Sequence, residues 1–119
     1  MVNKKITSID DLSIKEIDSI VDLAIHYQKS KKNYPNKNPK NIFNLFLESS
    51  TRTTVSFELA ARKLGHKVIN INFEKSSLSK GETFADTMDT LISMGPDLLI
   101  IRDKNNYSPL NIYNKNQNH

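Results

Sequence analysis

Glu48-Ser49-Ser50-Thr51-Arg52-Thr53-Thr54 sets five hydroxyl side chains beside one guanidinium and one carboxylate. Hydroxyls donate to anion oxygens, and a guanidinium offers a rigid fork that meets phosphate in a bidentate way. The run from Ile42 to Leu47 before them is apolar, and Val55 to Leu64 after them has an amphipathic helical pattern. That order reads as strand, tight loop, helix, with the hydroxyls at the helix start. The first backbone N–H groups of a helix lack intrahelical partners, and the positive end of its dipole points outward. A phosphate or carboxylate is the natural ligand for such a place.

Two further segments carry similar chemistry. Residues 74–80 form a serine-rich loop that holds Ser76 and Lys80, and Leu98-Leu99-Ile100-Ile101 reads as a strand that delivers Arg102 at its C-terminal end. Each residue also has an ordinary reading. Ser50 or Thr51 suits a plain N-cap, Arg52 a surface pair with Glu48 or Glu58, and Lys80 a solvated loop. Three such segments at one sheet edge favour a ligand over three separate coincidences.

The elements that must position these residues follow from periodicity. Ser13-Ile14-Lys15-Glu16 is a capping box, and Ile14, Ile17, Ile20, Val21, Ala24 and Ile25 recur at helical spacing, which predicts a helix over 14–31. Pro35 and Pro39 punctuate a polar loop, and a strand is expected at 41–47. The next helix runs to Leu64 and stops at Gly65. A second strand at 68–73, a helix over 82–94 ended by Gly95-Pro96, and the third strand complete an alternating pattern. Alternation implies right-handed crossovers, and so an α/β fold with a parallel sheet and flanking helices. Ligands of such sheets bind beyond the carboxyl ends of the strands, where all three segments fall. After Asp103 asparagines crowd the sequence, and 103–119 reads as loop and frayed tail with a short helix around 109–114. His26 reads as a surface histidine and His66 as a turn residue away from the ligand edge.

The 119 residues suffice for one domain with a modest core. The net charge of +4 fits lysines on solvated faces, or an anionic ligand. Nucleic acid is the weaker candidate, because aromatics are not interleaved with the lysines as a stacking platform requires. There is no cysteine, hence neither a disulfide framework nor a thiolate metal site. No metal or other cofactor is expected. No run is long enough to span a bilayer and no secretory pattern is present, so the expectation is a cytoplasmic protein without a membrane partner.

Ser50-Thr51-Arg52-Thr53 with Ser56-Phe57-Glu58 resembles the carbamoyl-phosphate signature of the aspartate and ornithine carbamoyltransferases. Ser76-Ser77-Leu78-Ser79-Lys80-Gly81-Glu82-Thr83 with Asp86-Thr87 resembles the second signature of that family. The Lys-Gly-Glu-Thr form and Met94-Gly95-Pro96-Asp97 are closer to the aspartate branch than to the ornithine one. The resemblance implies carbamoyl transfer from carbamoyl phosphate to L-aspartate, in pyrimidine biosynthesis, by a homotrimer with sites at subunit interfaces. It implies that Ser50, Thr51, Arg52 and Thr53 cradle the phosphate. Arg52 would stabilise charge on the departing phosphate, and Thr53 and Arg102 would polarise the carbamoyl oxygen. Ser76 and Lys80 would reach the neighbouring subunit's site, and Glu48 would hold two domains closed. A non-catalytic anion-binding module and an ornithine carbamoyltransferase remain the alternatives.

The sequence also departs from the family pattern. The His-Pro-Thr-Gln segment and the aspartate-binding domain are not in it, and Asp103 follows Arg102 where the family usually has histidine. The expectation is therefore a partial, truncated carbamoyl-phosphate-binding domain over 1–102 and an atypical polar tail over 103–119. Such a chain by itself should bind carbamoyl phosphate weakly and turn over negligibly.

Overall fold

The structure, a computed structural model, describes residues 5–30, 37–47, 50–72, 84–103 and 108–115. The chain divides into two compact units, one of residues 1–32 with 105–119 and one of residues 33–104.

In the first unit a short 3-10 turn, Ile9–Asp11, leads to α1, Ile14–Lys29. The capping box is formed: Glu16 N–H donates to Ser13 Oγ at 3.1 Å, and Ser13 N–H donates to Glu16 Oε1 at 3.0 Å. The helix ends two positions before the expected 31, where Ser30 N–H turns back to the Tyr27 carbonyl. Ahead of the turn, Asp11 gathers three donors. Lys5 Nζ lies 2.7 Å from Oδ1, and the Thr7 N–H and hydroxyl lie 2.9 and 3.1 Å from Oδ2. The Lys5 hydrogen bond, then the Thr7 backbone one, holds the Asp11 carboxyl well below the usual carboxylate range. The helix foreseen around 109–114 is present over Ser108–Lys115 as α4. Pro109 falls in its first turn, where the missing N–H costs nothing, and Ile112 is buried.

The second unit is built on three parallel strands in the order β2-β1-β3: β1 is Asn41–Phe46, β2 Lys67–Asn72 and β3 Leu98–Arg102. Helix α2, Thr51–Lys63, joins β1 to β2, and α3, Phe84–Ser93, lies between β2 and β3. The chain steps from β1 out to β2, then returns across β1 to β3. With right-handed crossovers that reversal puts α2 and α3 on opposite faces of the sheet. Strand β1 is accordingly covered on both sides: Ile42 through Phe46 are all buried, and Leu45 is 0% exposed. A near-continuous apolar run is what a central parallel strand needs. The outer strands are less protected, with Ile69 and Leu98 exposed.

Helix α2 closes at Gly65, whose φ of 79° is open to glycine without strain. The N-terminal ends of the strands are tied by side chains. Asn41 N–H donates to Asp97 Oδ2 at 2.8 Å, and Lys40 N–H donates to His66 Nδ1 at 3.0 Å. His66 is thus a turn residue at the far end of the sheet from the anion loop, as its sequence position suggests.

Candidate active site

The carboxyl ends of the strands bring two of the sequence-predicted segments together. In the sheet register Phe46 stands beside Arg102, and Leu47 N–H donates to the Arg102 carbonyl at 2.8 Å. The exit of β1 is therefore pinned to the exit of β3. Because the chain leaves β1 toward β2 and comes back to β3, the crevice between β1 and β3 is the switch point of this sheet.

Ser50 starts α2 with an extended backbone, φ −154° and ψ 93°. Its carbonyl accepts from Thr54 N–H at 3.0 Å and from Thr54 Oγ1 at 2.7 Å. Its side chain makes no capping bond. The Ser50 hydroxyl donates to Thr53 Oγ1 at 3.0 Å instead. The contrast with α1 is physical: there Ser13 and Glu16 satisfy orphan N–H groups, whereas the side chain at the start of α2 leaves them to another acceptor. Ser50 is thus an N-cap by position and not by bonding.

Thr53 is where the segments meet. Arg102 Nη1 donates to Thr53 Oγ1 at 2.5 Å. With the Ser50 hydroxyl donating to the same oxygen, both lone pairs of Oγ1 are engaged. Among the described residues no acceptor takes the Thr53 proton, and the guanidinium charge beside it makes that hydroxyl a stronger donor. Thr51 and Arg52 lie exposed in the first turn. Among the described residues Arg52 makes no ion pair with Glu58, which accepts instead from Arg62 Nε at 3.2 Å and from Asn70 Nδ2. Two cationic side chains, a polarised hydroxyl and the positive end of α2 thus share one sheet edge. Such a set can bind a phosphate and stabilise negative charge growing on a neighbouring oxygen.

Glu48, Ser76 and Lys80 lie outside the described residues. Among the described residues no three of His, Asp and Glu cluster as a metal site would require. Sequence reasoning overlooks Asn44, which reads as one letter in an apolar run. Its signal is an amide among Ile42, Phe43, Leu45 and Phe46.

Comparison with known proteins gives a consistent result. The family model described as Aspartate/ornithine carbamoyltransferase, carbamoyl-P binding domain, matches residues 4–118, a span that includes both signatures. The aspartate carbamoyltransferase catalytic subunit of Legionella pneumophila (strain Lens) is 42% identical over 112 residues, covering 94% of this chain and 37% of the relative. The structure resembles aspartate transcarbamoylase from Trypanosoma cruzi in complex with aspartate and phosphate, with a TM-score of 0.77 and 34% identity over 93% of this chain and 37% of that one. Anabolic ornithine carbamoyltransferase from Campylobacter jejuni aligns with a TM-score of 0.75 and 30% identity, over 93% of this chain and 36% of that one. The chain spans little more than a third of the length of these relatives. At that extent it belongs to the aspartate/ornithine carbamoyltransferase family, as the carbamoyl-phosphate-binding domain.

Proposed function

We propose that this chain supplies the carbamoyl-phosphate site of an aspartate carbamoyltransferase, the enzyme that converts carbamoyl phosphate and L-aspartate to N-carbamoyl-L-aspartate and phosphate in pyrimidine biosynthesis. The observation that carries the reading is the Arg102–Thr53 hydrogen bond at the start of α2. It couples a guanidinium to a hydroxyl whose proton is left to donate.

In the reaction the aspartate amine attacks the carbamoyl carbon, the carbonyl electrons move onto oxygen, and the C–O bond to phosphate breaks as the tetrahedral species collapses. The attacking nitrogen loses a proton and inorganic phosphate leaves with the bonding pair. Negative charge grows first on the carbamoyl oxygen and then on the phosphate. Thr53 and Arg102 are suited to the first, and Arg52 with the N–H groups of Ser50, Thr51 and Thr53 to the second. Removing one donor of this kind costs roughly 10²–10³ in rate. In the same reading Ser76 and Lys80 act in the neighbouring site of a homotrimer. Glu48 acts in closure against a second domain that binds aspartate. A reaction between small ionic metabolites suits the cytoplasm, and no described helix is long and apolar enough to cross a membrane.

The test is calorimetry of the 119-residue chain with carbamoyl phosphate and with inorganic phosphate. Carbamoyl phosphate should bind more tightly than phosphate, and Arg52→Ala should abolish binding of both anions without lowering the unfolding midpoint. Equal affinity for the two anions would leave only a generic anion-binding module.

A further inference from the structure

Strand β1 carries one polar side chain among its buried positions. Asn44 is 1% exposed, in the centre of the sheet, between residues that are all apolar. An amide there is costly unless its groups are paired. Both hydrogens of Nδ2 are used: one goes to the Thr54 carbonyl at 3.3 Å and one to Asn70 Oδ1 at 3.0 Å, on the neighbouring strand. Asn44 Oδ1 has no partner among the described residues.

The orientation of this amide is dictated from outside the core. Glu58 is a carboxylate and accepts only, so it fixes which end of the Asn70 amide faces it: Nδ2. Asn70 must then turn Oδ1 toward its register partner Asn44. Asn44 must in turn present Nδ2, because both neighbours are acceptors. Arg62 holds Glu58 one turn along α2. The relay runs Arg62, Glu58, Asn70, Asn44, Thr54, and it ends on a backbone carbonyl in the first turn of α2. Thr54 is also the residue whose N–H and hydroxyl both grip the Ser50 carbonyl.

A leucine at position 44 would fill the strand without leaving an orphaned acceptor. The amide is therefore a poor choice for stability and a good one for orientation. We propose that Asn44 is a positioning residue for the anion loop. It fixes the first turn of α2 against β1 and so sets Ser50 and Thr53 opposite Arg102. The consequence for ligand affinity rests on the carbamoyl-phosphate reading of that loop; the consequence for the loop itself does not.

Amide hydrogen exchange and calorimetry on the ¹⁵N-labelled chain test this with two variants. Asn44→Leu should keep or raise the urea midpoint, since an unpaired buried acceptor is removed. At the same time it should speed exchange at Thr54 N–H by about tenfold and weaken carbamoyl phosphate binding by about tenfold. Asn70→Ala, at an exposed position, should leave the fold intact and speed Thr54 exchange less, because Asn44 keeps its bond to the Thr54 carbonyl. If Thr54 exchange is unchanged in both variants, or rises only in step with exchange across all three strands, the role is merely structural and the proposal is wrong. Unchanged affinity in Asn44→Leu beside a wild type that binds would also overturn it. If the wild type binds no carbamoyl phosphate, the functional reading falls, and Thr54 exchange still decides whether Asn44 positions the loop.

Discussion

Arg102, the last residue of β3, donates from Nη1 to Thr53 Oγ1 at 2.5 Å, across 49 positions of sequence. The bond joins the exit of β3 to the first turn of α2 through one hydroxyl. Thr53→Val keeps the branched shape and removes the oxygen. The Ser50 hydroxyl and the Arg102 guanidinium then lose their shared acceptor, and the ligand loses a donor. Carbamoyl phosphate affinity should fall by about 10- to 100-fold, the equivalent of one hydrogen bond involving a charged group. Stability should move by no more than about 0.5 kcal/mol, because Arg102 is exposed. Calorimetry against a urea melt separates the two.

Leu45 is the fully buried apolar side chain of the central strand. Leu45→Ala should cost about 2–5 kcal/mol, through lost transfer energy and the cavity left behind. That is a large share of the ~5–15 kcal/mol that holds a typical domain folded. Ile69→Ala, on the outer strand at a residue 54% exposed, should cost well under half as much. Chemical denaturation of the two variants side by side checks the ranking. A similar loss in both would mean that β1 is not the centre of the core.

Much of this architecture is legible from local pattern. The capping box at Ser13 and Glu16, the glycine after α2 and the three strand-forming runs lie where their chemistry requires. The parallel sheet follows from alternation and handedness, but the order β2-β1-β3 and with it the β1–β3 crevice do not, since right-handed crossovers allow β1-β2-β3 equally well. The bonds that pin the edges are a different matter. Asp97 to Asn41, His66 to Lys40 and Asn44 to Asn70 join residues 26 or 56 positions apart. Nothing in the sequence around Asp97 or His66 announces such a partner. The use of the Ser50 hydroxyl on Thr53 rather than on the helix backbone is equally invisible, since either bond suits a serine at a helix start.

His66 gives a prediction at the other end of the sheet. Its Nδ1 accepts from Lys40 N–H, just where Lys67 N–H returns to the Lys40 carbonyl and begins the β1–β2 ladder. His66→Ala leaves a partly buried N–H without that acceptor and should cost about 1 kcal/mol. Amide exchange should quicken at Lys40 first. Carbamoyl phosphate binding should be unaffected, since the site is at the opposite end of the strands. A drop in affinity with Lys40 exchange unchanged would contradict this division of labour.

The acid limb of stability should carry the mark of Asp11. Its carboxyl accepts from Lys5 and twice from Thr7, and its folded pKa lies well below the ordinary 3.8. A carboxylate with a depressed folded pKa adds stability above its unfolded value and loses it as the pH falls through the folded one. Wild type should therefore be more stable than Asp11→Asn at neutral pH, and the gap should begin to close as the pH drops past 3.8. Lys5→Ala removes the largest cause of the shift, so in that variant the Asp11 carboxyl should titrate closer to its ordinary value. The loss on acidification should then finish at a higher pH. Urea midpoints measured across the acid range, with side-chain carboxyl shifts followed by NMR, give both quantities. A gap that widens on acidification would show that Asp11 is not held ionised by these donors.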